Sequence, residues 1–284
     1  KKYMSMDLDL DKKLCRVDPV DVDYFTEAVW EGRVDLIESE EIHLFNSARI
    51  EFGVIRVNKQ PKLYKKIRER TYENIGYGPI TLPAFEYETT GFNIVAPREW
   101  TRVLDERNKH YTGAAYYGLS YILRHASTIF CMSDIKDINT DISLYEAEPG
   151  SWRSALYLYD TIEGGVGYAE KTFERIEEVL RFCREILDNC ECGSGCPSCV
   201  PPLPPGVESR ELEEFLVESN AAVECTGSLL EALLEKNFRI PEISVSRTPL
   251  ASRQAPPEDM EKKRVSQKLN RAARILRDKR ERLH

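Results

Sequence analysis

The sequence predicts an α+β protein: an N-terminal antiparallel β-rich module, an α/β module carrying a cysteine cluster, and a C-terminal helix. Three observations predict it. Residues 2–97 are dense in Tyr, Val, Ile, Phe and Thr, with stretches of period-two alternation. Beyond Pro97 apolar residues recur at helical spacing, with one compact apolar strand between the helical stretches. Four of the eight cysteines then fall within ten residues. The expected divisions are 1–100 (β-rich), 101–240 (α/β with the cluster), 241–257 (linker) and 258–284 (basic amphipathic helix).

In the first module, strands are expected at residues 24–30, 48–58, 62–71 and 82–95. Breakers are expected at Lys59-Gln60-Pro61 and Gly76-Tyr77-Gly78-Pro79. Sequential strands with short connections form a meander or small barrel. In the second module, residues 102–110 and 113–130 are expected as helices and 128–135 as a short strand. The run Ser154-Ala155-Leu156-Tyr157-Leu158-Tyr159 is expected as a buried strand. Glycine-rich residues 163–167 turn the chain into a helix over 168–187, whose apolar stripe is Phe173, Ile176, Val179, Leu180, Cys183 and Ile186. Short helices follow near 211–221 and 228–236. The last helix sets Val265, Leu269, Ala272, Leu276 and Leu283 along one side.

Composition narrows the class. Hydrophobic residues are 42% and charged residues 31%, the mix of a soluble globular protein. The N-terminus has no apolar signal core, and the longest apolar stretch, 114–132, is interrupted by Arg124 and His125, so no membrane span is expected. A cytoplasmic location, or a nuclear one in a eukaryote, follows. The absence of an initiator Met suggests a processed chain or a fragment. Net charge is −8, yet residues 259–284 hold ten Lys/Arg against four Asp/Glu. The remaining body is therefore strongly acidic. That excludes a protein that coats nucleic acid generally and leaves contact at a few local places.

Cys190, Cys192, Cys196 and Cys199 are spaced C-x-C-x3-C-x2-C. Thiolates in one loop favour zinc in a closed tetrahedral site, and Gly193, Gly195 and Pro197 supply the turns. An iron–sulfur cluster is the alternative occupant, since four thiolates hold either. A closed ligand set leaves no position for water, so the role is structural. Cys15, Cys131, Cys183 and Cys225 are isolated.

Residues 165–172 approach the phosphate-loop pattern G-x-x-x-x-G-K-[ST], but Glu170 stands where its second Gly belongs, and a carboxylate there repels phosphate. A tight strand-to-helix turn built from Asp160, Gly164, Gly165 and Gly167 is expected instead, with Asp160 satisfying free N–H groups. Asp134, Asp137, Asp141 and Asp160 lie near strand ends, where a metal-dependent nuclease would carry its carboxylates, but no E-x-K element accompanies them. Residues 62–70 place Tyr64, Lys66, Arg68 and Arg70 on one face if extended. With Arg56 and Lys59 they make a basic ridge suited to phosphate contact and base stacking, or an ordinary solvated sheet face.

The order of Leu156-Tyr157-Leu158-Tyr159-Asp160, Gly164-Gly165-Val166-Gly167 and Cys190-Glu191-Cys192-Gly193-Ser194-Gly195-Cys196-Pro197-Ser198-Cys199-Val200 resembles a known domain. That domain is the C-terminal zinc-binding domain of mitomycin repair factor A-like superfamily-two DEAD/DEAH-box DNA helicases, and the resemblance covers about residues 111–202. The stretches 16–26, 64–67 and 73–78 resemble the segment leading out of the helicase core in the same proteins. The resemblance implies the accessory C-terminal region of an ATP-dependent 3′-to-5′ helicase working in DNA repair. Its implied partners are DNA, single-stranded or forked, and the motor domains in cis or trans. This chain has no phosphate loop or acidic box, so helicase activity is not expected of it alone. A protein-interaction adaptor without DNA contact is the alternative reading.

Overall fold

One long strand organises the molecule: β4 (Ala48–Arg68) pairs with three others. In this computed structural model, the described residues are 1–46, 48–71, 73–192, 195–201, 220–235 and 240–243. They lie in a compact unit covering Lys1–Ser246. The expected helix at 258–284, most of the linker 241–257 and the expected helix at 211–221, apart from its last two residues, lie outside the described residues.

A hairpin, β1 (Lys2–Asp9) with β2 (Leu14–Val20), forms a separate two-stranded sheet. The main sheet is antiparallel, in the order β3 (Tyr24–Phe45), β4, β6 (Phe85–Val95), β8 (Ser151–Asp160), β7 (Ile138–Glu148), with β5 (Asn74–Pro79) beside the far end of β4. Its central strands are buried on both faces. Ile50, Phe52, Phe92, Ile94, Leu156 and Leu158 pack against the helices, while Val34, Ile55, Val57, Val95, Ala155, Tyr157 and Tyr159 form a second cluster. The alternation of the two sets along β4, β6 and β8 is the period-two signature of a strand apolar on both sides.

The helices are α1 (Arg98–Arg107), α2 (Tyr111–Cys131), α3 (Tyr168–Glu174), α4 (Ile176–Asp188) and α5 (Ala221–Glu235). Among the described residues no helix is long and apolar enough to cross a membrane. Helix α2 buries Ala114, Ala115, Leu119, Ile122, Leu123 and Ala126, and its small residues let α5 approach closely.

Several expectations are corrected. Lys59-Gln60-Pro61 does not break a strand, because Pro61 falls where β4 changes partner from β6 to β5. The pairing with β3 is also offset there, between Val29 and Trp30, and such an irregularity in a strand tolerates proline. Residues 76–79 are strand, as the edge strand β5. No strand occupies 128–135: α2 continues to Cys131 and ends on Met132 in the left-handed conformation, with Ser133 N bonded to Thr128 O at 3.1 Å. The helix over 168–187 is two helices, leaving helical geometry at Arg175 while Phe173 and Ile176 stay buried on either side. The sheet also runs across the boundary expected near residue 100, since β6 pairs with β8 some sixty residues later.

Candidate metal centre

Cys190 and Cys192 leave the C-terminal end of α4, where Cys190 N bonds Leu187 O at 3.2 Å. Cys196 and Cys199 bracket a tight turn in which Cys199 N bonds Cys196 O at 3.0 Å. The four sulfurs lie within 4.8 Å of one another. The separations are 3.6 Å for Cys190–Cys196, 3.5 Å for Cys192–Cys199 and 3.7 Å for Cys196–Cys199. A regular tetrahedron with zinc–sulfur bonds of about 2.3 Å has edges of about 3.8 Å. The cage therefore fits one zinc ion. These distances are far too long for disulfides. A four-iron cluster spreads its cysteines over separate irons and would drive the sulfurs further apart.

The local sequence builds this cage. Gly195 has φ +95° and lies against the Val200 carbonyl, which an added Cβ would meet at 2.5 Å. Cys199 and Val200 are buried, whereas Cys190, Cys192 and Cys196 are partly exposed. A hydrogen bond from the Ser198 backbone is the main influence holding the Cys196 thiol down to about 7, and burial pushes Cys199 up to about 12. A cation among the sulfurs offsets that burial penalty, because the thiolate is the ligand form. Gly193 lies outside the described residues. Two further contacts, which the sequence reading misses, reach this loop from α2: Tyr121 OH donates to Pro197 O at 2.7 Å, and Tyr117 OH donates to Pro201 O at 3.0 Å. Their spacing of four on α2 was the available signal, since it puts both rings on one side of the helix.

The glycine turn is held by Asp160, which is fully buried. Its Oδ2 accepts from Val166 N at 2.7 Å and Gly167 N at 2.8 Å, and its Oδ1 from Ala169 N at 2.9 Å. Gly164, Gly165 and Gly167 all have φ between +74° and +90°, and a Cβ on Gly165 would meet Thr90 Oγ1 at 2.1 Å. The amides a phosphate would use are thus already bonded to a carboxylate of the protein itself.

The six basic-ridge residues are not brought together. Arg56 and Lys59 are an odd number of residues apart on a regular stretch of β4 and face opposite sides of the sheet. Arg56 pairs with Glu88 at 2.7 Å; Lys59 pairs with Asp141 at 2.6 Å and also bonds Tyr159 OH at 3.0 Å. Further along, Tyr64 lies over Gly78, Lys66 stands 5.4 Å from the Tyr24 ring, and Arg68 is 3.5 Å from Asp23 and 3.6 Å from Glu73. Arg70 is exposed, just past the end of β4. The four aspartates do not converge either. Asp160 caps the turn, Asp141 accepts from Tyr159 and Lys59, and Asp134 and Asp137 bond backbone groups of their own turn. Among the described residues only the four cysteines gather as a metal-binding group.

Residues 119–200 match the family described as MrfA Zn-binding domain. Over 210 residues the chain is 30% identical to the ATP-dependent helicase YprA of Bacillus subtilis, covering 74% of this chain and 27% of that protein. Over 221 residues it is 22% identical to the ATP-dependent helicase HRQ1 of Saccharomyces cerevisiae, covering 70% of this chain and 19% of that one. The crystal structure of the DUF1998 helicase MrfA bound to DNA aligns with a TM-score of 0.51 at 29% identity, over 75% of this chain and 28% of that one. The chain thus spans roughly a quarter or less of the length of these relatives. Residues 119–200 are therefore an MrfA Zn-binding domain, of the kind found in MrfA-like helicases, and zinc is the ion its four cysteines take.

Proposed function

We propose that this chain is the accessory C-terminal region of an ATP-dependent 3′-to-5′ DNA helicase acting in repair, working in the cytoplasm or, in a eukaryote, the nucleus. The observation that carries this reading is the likeness, in both sequence and fold, to a helicase crystallised on DNA. In this role the zinc supplies folding free energy: it ties the end of α4 to the loop that packs on α2. The closed thiolate set leaves no position for a reacting water. With the helix N-terminus filled by Asp160, ATP turnover belongs to motor domains in cis or trans. Single-stranded or forked DNA would then be met at Tyr64, Lys66, Arg68 and Arg70, while Arg56 and Lys59 serve the sheet through their carboxylate partners.

The test is binding of the purified chain to labelled single-stranded and forked oligonucleotides at stepped salt. Binding that weakens steeply with salt supports the reading. No affinity even at low salt favours the second reading, a protein-docking adaptor. The β1–β2 hairpin lends that alternative weight, since it exposes Tyr3, Met4, Met6, Leu8 and Val17. The separate engagement of Asp134, Asp137, Asp141 and Asp160 leaves a nuclease reading without a converging carboxylate set.

A further inference from the structure

We infer that Tyr117 and Tyr121 are positioning residues for the zinc ion, their two hydroxyls holding the Cys196–Cys199 half of the cage at its binding geometry. The cage is made of two halves of unlike origin. Cys190 and Cys192 come off the end of α4, and Cys190 N is bonded to Leu187 O, which makes that half an extension of the helix. Cys196 and Cys199 belong to a loop with no regular secondary structure, and such a loop keeps its place only through what it touches.

Two of those contacts come from α2. Tyr121 OH reaches Pro197 O, inside the Cys196–Cys199 turn, at 2.7 Å; Tyr117 OH reaches Pro201 O, just beyond it, at 3.0 Å. The tyrosines are one helical turn apart, so the two bonds brace the loop on both sides of Cys199. Helix α2 is itself fixed, with ten of its residues buried. The bracing therefore transmits the position of the core to two of the four ligands. Groups one step removed from a metal's ligands act by pre-setting ligand geometry, and their removal typically costs about 10- to 100-fold in metal affinity.

The expected readout is zinc affinity in the full chain, measured by competition with a chromophoric chelator. Tyr121→Phe and Tyr117→Phe keep the rings and remove only the hydroxyls. Each is expected to weaken zinc roughly 10-fold, and the double variant more than either. With cobalt in place of zinc, the thiolate-to-metal and d–d absorption bands should shift in position, not just in amplitude. Tyr116→Phe is the control. It lies on the same helix, but its hydroxyl accepts from Ala96 N at 2.9 Å, away from the cage, and zinc affinity should stay as in wild type. Unchanged zinc affinity and unchanged cobalt bands in the double variant would overturn the inference. So would an equal loss of thermal stability with and without metal, which marks a merely structural role. A wild-type chain that binds no zinc would instead overturn the metal assignment itself.

Discussion

Asp160 and Gly167 are joined by a hydrogen bond of 2.8 Å from the glycine N–H to the carboxylate, at the N-terminus of α3. The same carboxylate accepts from Val166 and Ala169. A chain that nearly spells a phosphate loop thus carries its own anion where a phosphate would sit. Asp160→Asn keeps the shape but turns one oxygen into an N–H donor facing N–H groups. The substitution is expected to cost about 3 kcal/mol, as for loss of charge-assisted bonds to buried amides. Urea unfolding in zinc-saturated buffer reads this, and a change below about 1 kcal/mol would contradict the cap.

Phe173 ties α3 to the sheet: its ring lies 5.3 Å from Phe52, 5.9 Å from Phe92 and 4.4 Å from His43. Phe173→Ala removes a large buried side chain from between rigid elements, so about 3–5 kcal/mol should be lost. Equilibrium denaturation checks this, and near-wild-type stability would mean that α3 collapses freely onto the sheet.

Lys66 and Arg68 test the DNA-contacting role. Reversing both to Glu should weaken DNA binding and flatten its dependence on salt, because fewer phosphates are neutralised. Both cations already have protein neighbours, Tyr24 for Lys66 and Asp23 with Glu73 for Arg68. Unchanged affinity in the double variant would therefore assign them to the β3–β4–β5 ribbon alone.

The parts of this fold legible in the sequence are those whose causes are local. The cysteine spacing predicts a cage, and the glycines at 164, 165 and 167 predict a tight strand-to-helix turn with Asp160 as its acceptor. The apolar stripe from Phe173 to Ile186 predicts a helix. What was not legible depends on distant partners. Pro61 reads as a breaker until β4 is seen to change neighbours there. Lys59 reads as a solvent-facing cation until Asp141, eighty-two residues away, is found beside it. The strand β7 does carry a local mark, Ile138, Thr140, Ile142 and Leu144 alternating with Asn139, Asp141 and Ser143, but its place at the sheet edge is set by its pairing with β8. Tyr117 and Tyr121 read as ordinary residues of a buried helix until their hydroxyls are traced to Pro201 and Pro197.

The most direct test of the account is the metal content and visible absorption of the purified chain, compared with Cys196→Ser. One zinc per chain is expected, in a colourless solution. The variant should lose the ion, with a fall in stability of several kcal/mol, since the ion's binding energy is folding energy here. Iron with a broad band near roughly 400 nm, or a metal-free variant as stable as the wild type, would contradict a structural zinc at Cys190, Cys192, Cys196 and Cys199.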